Sequence, residues 1–263
     1  MTILSAHHLT ARQGGRTVLD DLTFDVRPGE RVVVLGVNGC GKTTLLRLLD
    51  GLAFPDEGDV GYDGDRLSPG LLDDPAFRLR FRRQVALLFQ NVDAMLFNPT
   101  VRDEIAFGPR QLDLPDAEAR AARWAGIFDV AGLLDRAPFE LSGGEKKRVA
   151  LAACLAVEPR VLLLDEATAG LDPASVGRLV DVLADIPGLT VVATTHNLSM
   201  ATELGDRALL LAPGRKGLLW DGDAHALLHD EALLVESGLA HRHVHRHGAD
   251  HHVHAHYHVH DAE

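Results

Sequence analysis

The chain is 263 residues long, with 46% apolar and 24% charged residues, the balance of one large α/β domain with a modest extension. A formal net charge of -12 argues against non-specific binding of nucleic acid or anionic lipid, so any phosphate must be held by local geometry. Two cysteines, Cys40 and Cys154, without CxxC spacing exclude a disulfide scaffold and a cysteine zinc finger, and suit a reducing compartment.

In residues 1–30 short apolar groups alternate with polar ones (Val18, Leu19, Leu22, Phe24, Val26), the pattern of antiparallel strands and turns. The start shows no basic patch followed by an apolar run, so no signal peptide is expected. No apolar stretch approaches the ~18–20 residues needed to cross a bilayer. Residues 31–35 form a β-branched run, predicting a strand buried on both faces; a glycine-rich turn then enters a helical pattern over 42–49. Residues 55–75, with several Gly, Pro and Asp, read as loops and hairpins. Ala, Arg and Leu over 116–135 predict helix, within a helical subdomain of about 91–150. Helical patterns over 145–157 and 174–186 precede buried strands over 161–164 and 190–194. This alternation predicts a mainly parallel sheet with helices packed on it. No internal repeat is visible. From His241 the composition changes to HRHVHRHGADHHVHAHYHVH, which cannot bury an apolar face and is expected to be disordered without metal. The expected division is therefore 1–235 for the globular domain and 236–263 for the tail.

Chemistry enters first at Gly36-Val37-Asn38-Gly39-Cys40-Gly41-Lys42-Thr43, with Thr44 following. It fits GxxxxGK[ST] between a strand and a helix, the setting a phosphate-binding loop requires. Glycines let backbone N–H groups turn inward around phosphates, and the helix N-terminus favours negative charge. Lys42 is then placed to reach the β- and γ-phosphates of ATP, and Thr43 to ligate Mg2+. Alone, this loop does not separate kinases, GTPases, recombinases and ABC proteins.

The discriminator lies a hundred residues later, at Leu141-Ser142-Gly143-Gly144-Glu145 followed by Lys146-Lys147-Arg148-Val149-Ala150-Leu151-Ala152. Here the chain resembles ABC transporter ATPases, over roughly residues 2–230. Physically, Ser142 can cap the helix while glycine amides at its positive end face an anion. The resemblance implies an α/β ABC-type ATPase (P-loop NTPase) fold, with a mainly parallel core sheet, an N-terminal antiparallel β subdomain and a helical subdomain. It also implies that Ser142, Gly143 and Gly144 cap the γ-phosphate of ATP on an opposing subunit, so that the sites form in a dimer. Asp165, in Leu164-Asp165-Glu166, matches the Walker B aspartate that holds the Mg2+ shell, and Glu166 the residue that polarises attacking water. Asp172, in Ala169-Gly170-Leu171-Asp172-Pro173, matches the D-loop, and His196 the switch histidine at the γ-phosphate. Asn197 stands where the family more often has Asp. Gln90 matches the Q-loop, which touches Mg2+ or water and meets the membrane subunit. The family stacks adenine on an upstream aromatic; that position falls near Arg12 and Gln13, where the Arg12 guanidinium could stack instead.

The stretch Phe89-Gln90-Asn91-Val92-Asp93-Ala94-Met95-Leu96-Phe97-Asn98-Pro99-Thr100-Val101, continuing to Ala106-Phe107-Gly108-Pro109, resembles energy-coupling-factor ATPases. Those drive uptake of vitamins or of cobalt and nickel. Ten of the fifteen histidines lie in the tail, at His241, His243, His245, His247, His251, His252, His254, His256, His258 and His260. Neutral imidazole suits Ni2+, Co2+, Cu2+ and Zn2+, whereas Ca2+ and Mg2+ prefer oxygen. Their interspersion with Arg, Val, Ala and Tyr is unlike a purification tag. The sequence thus reads as the ATP-hydrolysing subunit of a cobalt or nickel importer, using ATP and Mg2+, with Ni2+ or Co2+ on the tail. Its expected partners are a second copy, as a homodimer, and integral membrane subunits, at the cytoplasmic face of the membrane, with no nucleic acid. A vitamin or zinc importer stays open. A nucleotide-binding metal-storage protein is the alternative of another class, although it would not need the Gln90 segment. ABC ATPases outside transport carry long coiled-coil insertions or two cassettes, and this chain has neither.

Overall fold

The computed structural model describes residues 1–247 and 250–256, with side chains described for residues 1–240. In chain order the strands and helices begin with β1 (Leu4–Gln13), β2 (Arg16–Val26), β3 (Arg31–Leu35), α1 (Lys42–Leu49), β4 (Glu57–Tyr62) and β5 (Asp65–Arg66). There follow α2 (Pro69–Asp73), α3 (Pro75–Gln84), β6 (Val85–Leu88), α4 (Val101–Gln111), α5 (Ala117–Ile127), α6 (Gly143–Ala156), β7 (Val161–Asp165), α7 (Pro173–Asp185) and β8 (Thr190–Thr195). The described order closes with α8 (Ala201–Leu204), β9 (Arg207–Leu210), β10 (Trp220–Asp223), α9 (Ala224–Leu228), α10 (Glu231–Glu236), β11 (His241–His247) and β12 (Asp250–His256). Two compact units result: Met1–Arg27 with Arg31–Arg66 and Ala193–Glu263, and Pro28–Glu30 with Leu67–Val192.

In the first unit β1 and β2 pair antiparallel, Leu4 opposite Val26 and Gln13 opposite Arg16. The sheet order is β2-β1-β4-β5, and its β1–β2 pair is the antiparallel arrangement that the alternating pattern of residues 1–30 predicts. Inward residues Leu4, Ala6, Leu22, Phe24 and Val26 are buried, the one-sided burial expected of an antiparallel sheet. Strand β3 reads differently: Val32, Val33, Val34 and Leu35 are all fully buried, and the strand pairs in parallel with β9, Val32 opposite Arg207. β10 pairs antiparallel with β9, and the Arg207 guanidinium bridges Asp221 at 2.5 and 2.7 Å and the Asp25 carbonyl at 2.7 Å.

In the second unit β6 and β7 pair in parallel, Val85 opposite Val161 and Leu88 opposite Leu164. Strand β7 is buried along its whole length, which is why its sequence is an unbroken apolar run before Asp165. Helices α4, α5 and α6 pack on one another. The small residues Ala150, Ala152 and Ala156 of α6 are fully buried, allowing close packing. Among the described residues no helix is long and apolar enough to cross a membrane.

One expectation differs from the structure. Residues 55–75 hold the expected hairpin, β4 and β5, but also helix α2, and α3 starts at Pro75. The prolines and acids that read as loop punctuation are helix starts: Ser68 accepts from Leu71 N–H at 3.2 Å with Pro69 in the first turn, and Asp74 accepts from Ala76 N–H at 3.0 Å with Pro75 next. In the tail, the backbone of residues 241–247 pairs antiparallel with that of 250–256 as β11 and β12.

Candidate functional site

The phosphate loop leaves the buried end of β3. Gly36 has φ +156°, and a Cβ there would lie 2.8 Å from the Leu211 carbonyl oxygen. Gly41, the N-cap of α1, has φ +106°, and its Cβ would lie 2.5 Å from Leu19 Cδ2 and 3.0 Å from the Val18 carbonyl oxygen. Both positions therefore exclude a side chain, by backbone angle and by space. Val37 is half-buried, Asn38 and Gly39 are exposed, and Cys40 is buried. Lys42 is 6% exposed and donates to the carbonyls of Gly36 at 2.7 Å and Val37 at 3.3 Å, so its ammonium lies against the loop it starts from. Thr43 is half-buried, and Thr44 accepts from Gln13 Nε2 at 3.0 Å. The first turn of α1 carries no acidic residue. A glycine turn, a lysine and an unneutralised helix N-terminus fit an anionic phosphate chain.

Arg12 donates to Glu57 at 2.6 Å through its guanidinium and to Asp56 at 2.6 Å through its backbone. Glu57 pushes the Arg12 pKa up, favouring the cation. In the same unit His196 follows buried β8 and is half-buried. The departure at Asn197 has a local role: its side-chain oxygen accepts from Ser199 N–H at 3.0 Å and Ser199 O–H at 2.7 Å, capping the turn after the histidine.

The second unit carries the other candidates. At the end of β7, Asp165 and Glu166 are 2% and 5% exposed. Glu166 has φ +48°, a left-handed conformation that a long side chain adopts only at a cost of about 1–3 kcal/mol, and such strain clusters at functional positions. Gln90 is exposed, two residues beyond β6. Ser142 forms a full capping box with Glu145: its N–H and O–H donate to Glu145 Oε2 at 2.8 and 2.7 Å, and Glu145 N–H donates back at 3.4 Å. The Ser142 hydroxyl holds the Glu145 carboxyl below its ordinary pKa. A Cβ at Gly143 would meet nothing within 4 Å, and one at Gly144 only the Gly170 carbonyl oxygen at 3.8 Å. Asp172 caps α7, accepting from Ser175 N–H at 2.9 Å and Ser175 O–H at 2.6 Å, and the Ser175 hydroxyl lowers its pKa.

Three residues escape motif reading. Lys147 is 6% exposed and donates to the carbonyls of Glu166 at 2.9 Å and Ala169 at 2.7 Å, tying the signature helix to the segment after β7. Burial lowers its pKa, while the charges of Glu166 and Asp165 oppose that shift. Lys146 instead bridges Asp93, near Gln90, at 2.7 Å. Buried Glu104 accepts from the N–H groups of Phe97 and Asn98 at 2.8 and 2.7 Å, fixing the loop between the Gln90 segment and α4. Of the tail histidines, His258 and His260 lie outside the described residues; the other eight stand in β11 and β12.

The family described as ABC transporter matches residues 19–169. The nickel import ATP-binding protein NikO of Rhodobacter capsulatus is 42% identical over 232 residues, covering 86% of this chain and 91% of its own. The cobalt import ATP-binding protein CbiO of the same organism is 42% identical over 242 residues, covering 90% and 84%. A solved structure of cbiO1 from Clostridium perfringens, described as part of the ABC transporter complex cbiONQ, superposes with a TM-score of 0.74 at 27% identity, covering 90% of this chain and 95% of that one.

Proposed function

This chain belongs to the ABC transporter ATP-binding family and is an ATPase that binds ATP with Mg2+, and from that premise we propose that it powers an energy-coupling-factor-type importer of cobalt or nickel ions. The names of the two relatives, the segment from Phe89 to Pro109 and the histidine tail support that cargo. Residues 1–235 would be the ATPase and 236–263 an appended metal-binding segment, with Ni2+ or Co2+ taken by the tail histidines.

The observation that carries the hydrolytic reading is Glu166, a buried carboxylate in a left-handed conformation directly after Asp165. Glu166 polarises the attacking water and His196 supports the γ-phosphate. The loop from Gly36 to Thr44 holds the phosphates through backbone N–H groups and Lys42. Thr43, Gln90 and Asp165 supply oxygen ligands of the kind Mg2+ takes, and the ion when bound spreads the charge developing on the phosphates. Ser142, Gly143 and Gly144 serve the nucleotide of a second copy, with Asp172 beside that interface. ATP favours the closed dimer and ADP does not, which makes hydrolysis the differential signal. Integral membrane subunits receive it at the segment from Gln90 to Phe97, a contact that the exposed Phe97 ring supports, with the chain at the cytoplasmic face of the membrane.

Copurification of the chain with integral membrane proteins from its own cells, followed by ion uptake in vesicles, tests the reading. Glu166→Gln should keep ATP binding and the complex while Ni2+ or Co2+ uptake stops. Uptake that proceeds undiminished would remove Glu166 from its role, and an assembled transporter that moves neither ion would overturn the cargo.

A further inference from the structure

Within the second unit, one side chain joins two parts that the proposed reaction assigns to different nucleotides. Ser142, Gly143 and Gly144 open α6, and Glu166 follows β7. Just past the first turn of α6, the buried Lys147 ammonium donates to the carbonyls of Glu166 at 2.9 Å and Ala169 at 2.7 Å. The Glu166 carbonyl also accepts the Ala169 N–H at 3.2 Å, closing the turn that begins at the left-handed Glu166. The next helix residue, Arg148, donates to Ser175 Oγ at 3.2 Å and stands 3.8 Å from the Asp172 carboxylate. Consecutive residues of the signature helix thus hold the segment from Glu166 to Ser175 at both ends.

Packing alone does not call for a lysine here. A buried ammonium gives up its hydration, and an apolar side chain fills such a position at lower cost. Val149, Ala150, Leu151 and Ala152, farther along α6, are fully buried and apolar. What the ammonium adds is direction, because its N–H donors fix two carbonyls of one turn. A left-handed residue other than glycine persists only where its surroundings over-determine it, and the bond to the Glu166 carbonyl is one such constraint. The backbone from Gly144 to Lys147 is helical, so a displacement of the signature glycines reaches Lys147 within about one turn. We propose that Lys147 is a positioning residue that couples the two nucleotide sites of the dimer. Through it, a signature face seated on the second copy's nucleotide holds this chain's Glu166 in place for its own. This coupling rests on the shared sites and the role of Glu166 proposed above, and it adds the residue that makes hydrolysis at one site depend on ATP at the other.

The ATP dependence of steady-state hydrolysis by the full chain tests the coupling. Wild type should show a Hill coefficient above one, two being the ceiling for two sites. Lys147→Met keeps an unbranched apolar stem without a donor. Its kcat should fall by about tenfold to a hundredfold, the scale of a slightly misplaced reacting group, and its Hill coefficient should fall to one. Equilibrium binding of a fluorescent ATP analogue should stay unchanged. Lys147→Gln, which keeps an N–H donor on a shorter stem, should fall between the two, and it is the variant to read if Lys147→Met does not fold. A wild type without cooperativity, or a folded Lys147 variant with wild-type kcat and Hill coefficient, would overturn the coupling. Glu166→Gln, measured alongside, separates the two levels. If it still turns over, the hydrolytic reading fails; if it stops while the Lys147 variants match wild type, only the coupling fails.

Discussion

The phosphate loop and the signature segment are both glycine-rich entries into a helix, yet their glycines answer to different constraints. At Gly36 and Gly41 the backbone angles are ones L side chains rarely adopt, and atoms of the same unit occupy the place of a Cβ. At Gly143 neither holds, and at Gly144 the single neighbour is at ordinary contact distance. The two helix starts also differ in charge. Helix α1 has no acid in its first turn, whereas α6 folds Glu145 back onto Ser142. The first loop is thus shaped by its own unit. Packing of the described residues does not require the signature glycines, which suits our proposal that they serve a second copy's nucleotide.

The largest effect should come from separating the two regions onto different chains. Lys42→Ala removes the loop ammonium and Ser142→Arg blocks the signature face, and each variant alone should lose turnover by orders of magnitude. Mixed, they leave one site of a heterodimer with both parts intact, and a measurable fraction of the ATPase rate should return. Full activity of Ser142→Arg alone would show that the signature acts on nothing outside its chain.

A pair of alanine substitutions sharpens the contrast. Gly41→Ala must adopt φ +106° against Leu19 and the Val18 carbonyl, and should cost about 1–3 kcal/mol of stability with loss of ATP binding. Gly143→Ala should leave Tm and ATP binding unchanged, since its Cβ enters open space. Its turnover should nevertheless drop by about a hundredfold, the scale of a misplaced catalytic contact. Calorimetric melting and steady-state hydrolysis read both effects. A Gly143→Ala chain that melts early would return that glycine to an intrachain role.

The local setting of the candidate residues is legible in the sequence because each motif sits where a buried strand ends or a helix begins, and the hydrophobic pattern locates those junctions. Strands β3 and β7 read from apolar runs, and α1 fills the 42–49 pattern. What stayed hidden depends on tertiary packing. Lys146 and Lys147 are indistinguishable as neighbours in a motif; the packing of α6 sends one to Asp93 and buries the other against the Glu166 and Ala169 carbonyls. Glu104 was equally invisible, since its partners are backbone N–H groups of a loop. Helices α2 and α3 were obscured because Pro and Asp serve both turns and helix starts.

The smallest effect concerns the charge difference between the two helix starts. Glu145→Gln keeps a side chain able to complete the capping box but removes the negative charge from the positive end of α6. The site is solvated, so screening leaves about a few tenths of a kcal/mol. The sign in pH follows from the Ser142 hydrogen bond, which lowers the folded-state pKa of Glu145 below its ordinary carboxylate value. The stabilisation is therefore fully present above the unfolded pKa and disappears as pH falls through the folded one. Wild type should melt slightly above Glu145→Gln at neutral pH, and the two should converge in acid below the carboxylate range. A gap that persists there would mean that the amide disrupts the cap geometry, and that the charge of Glu145 adds nothing to the helix start.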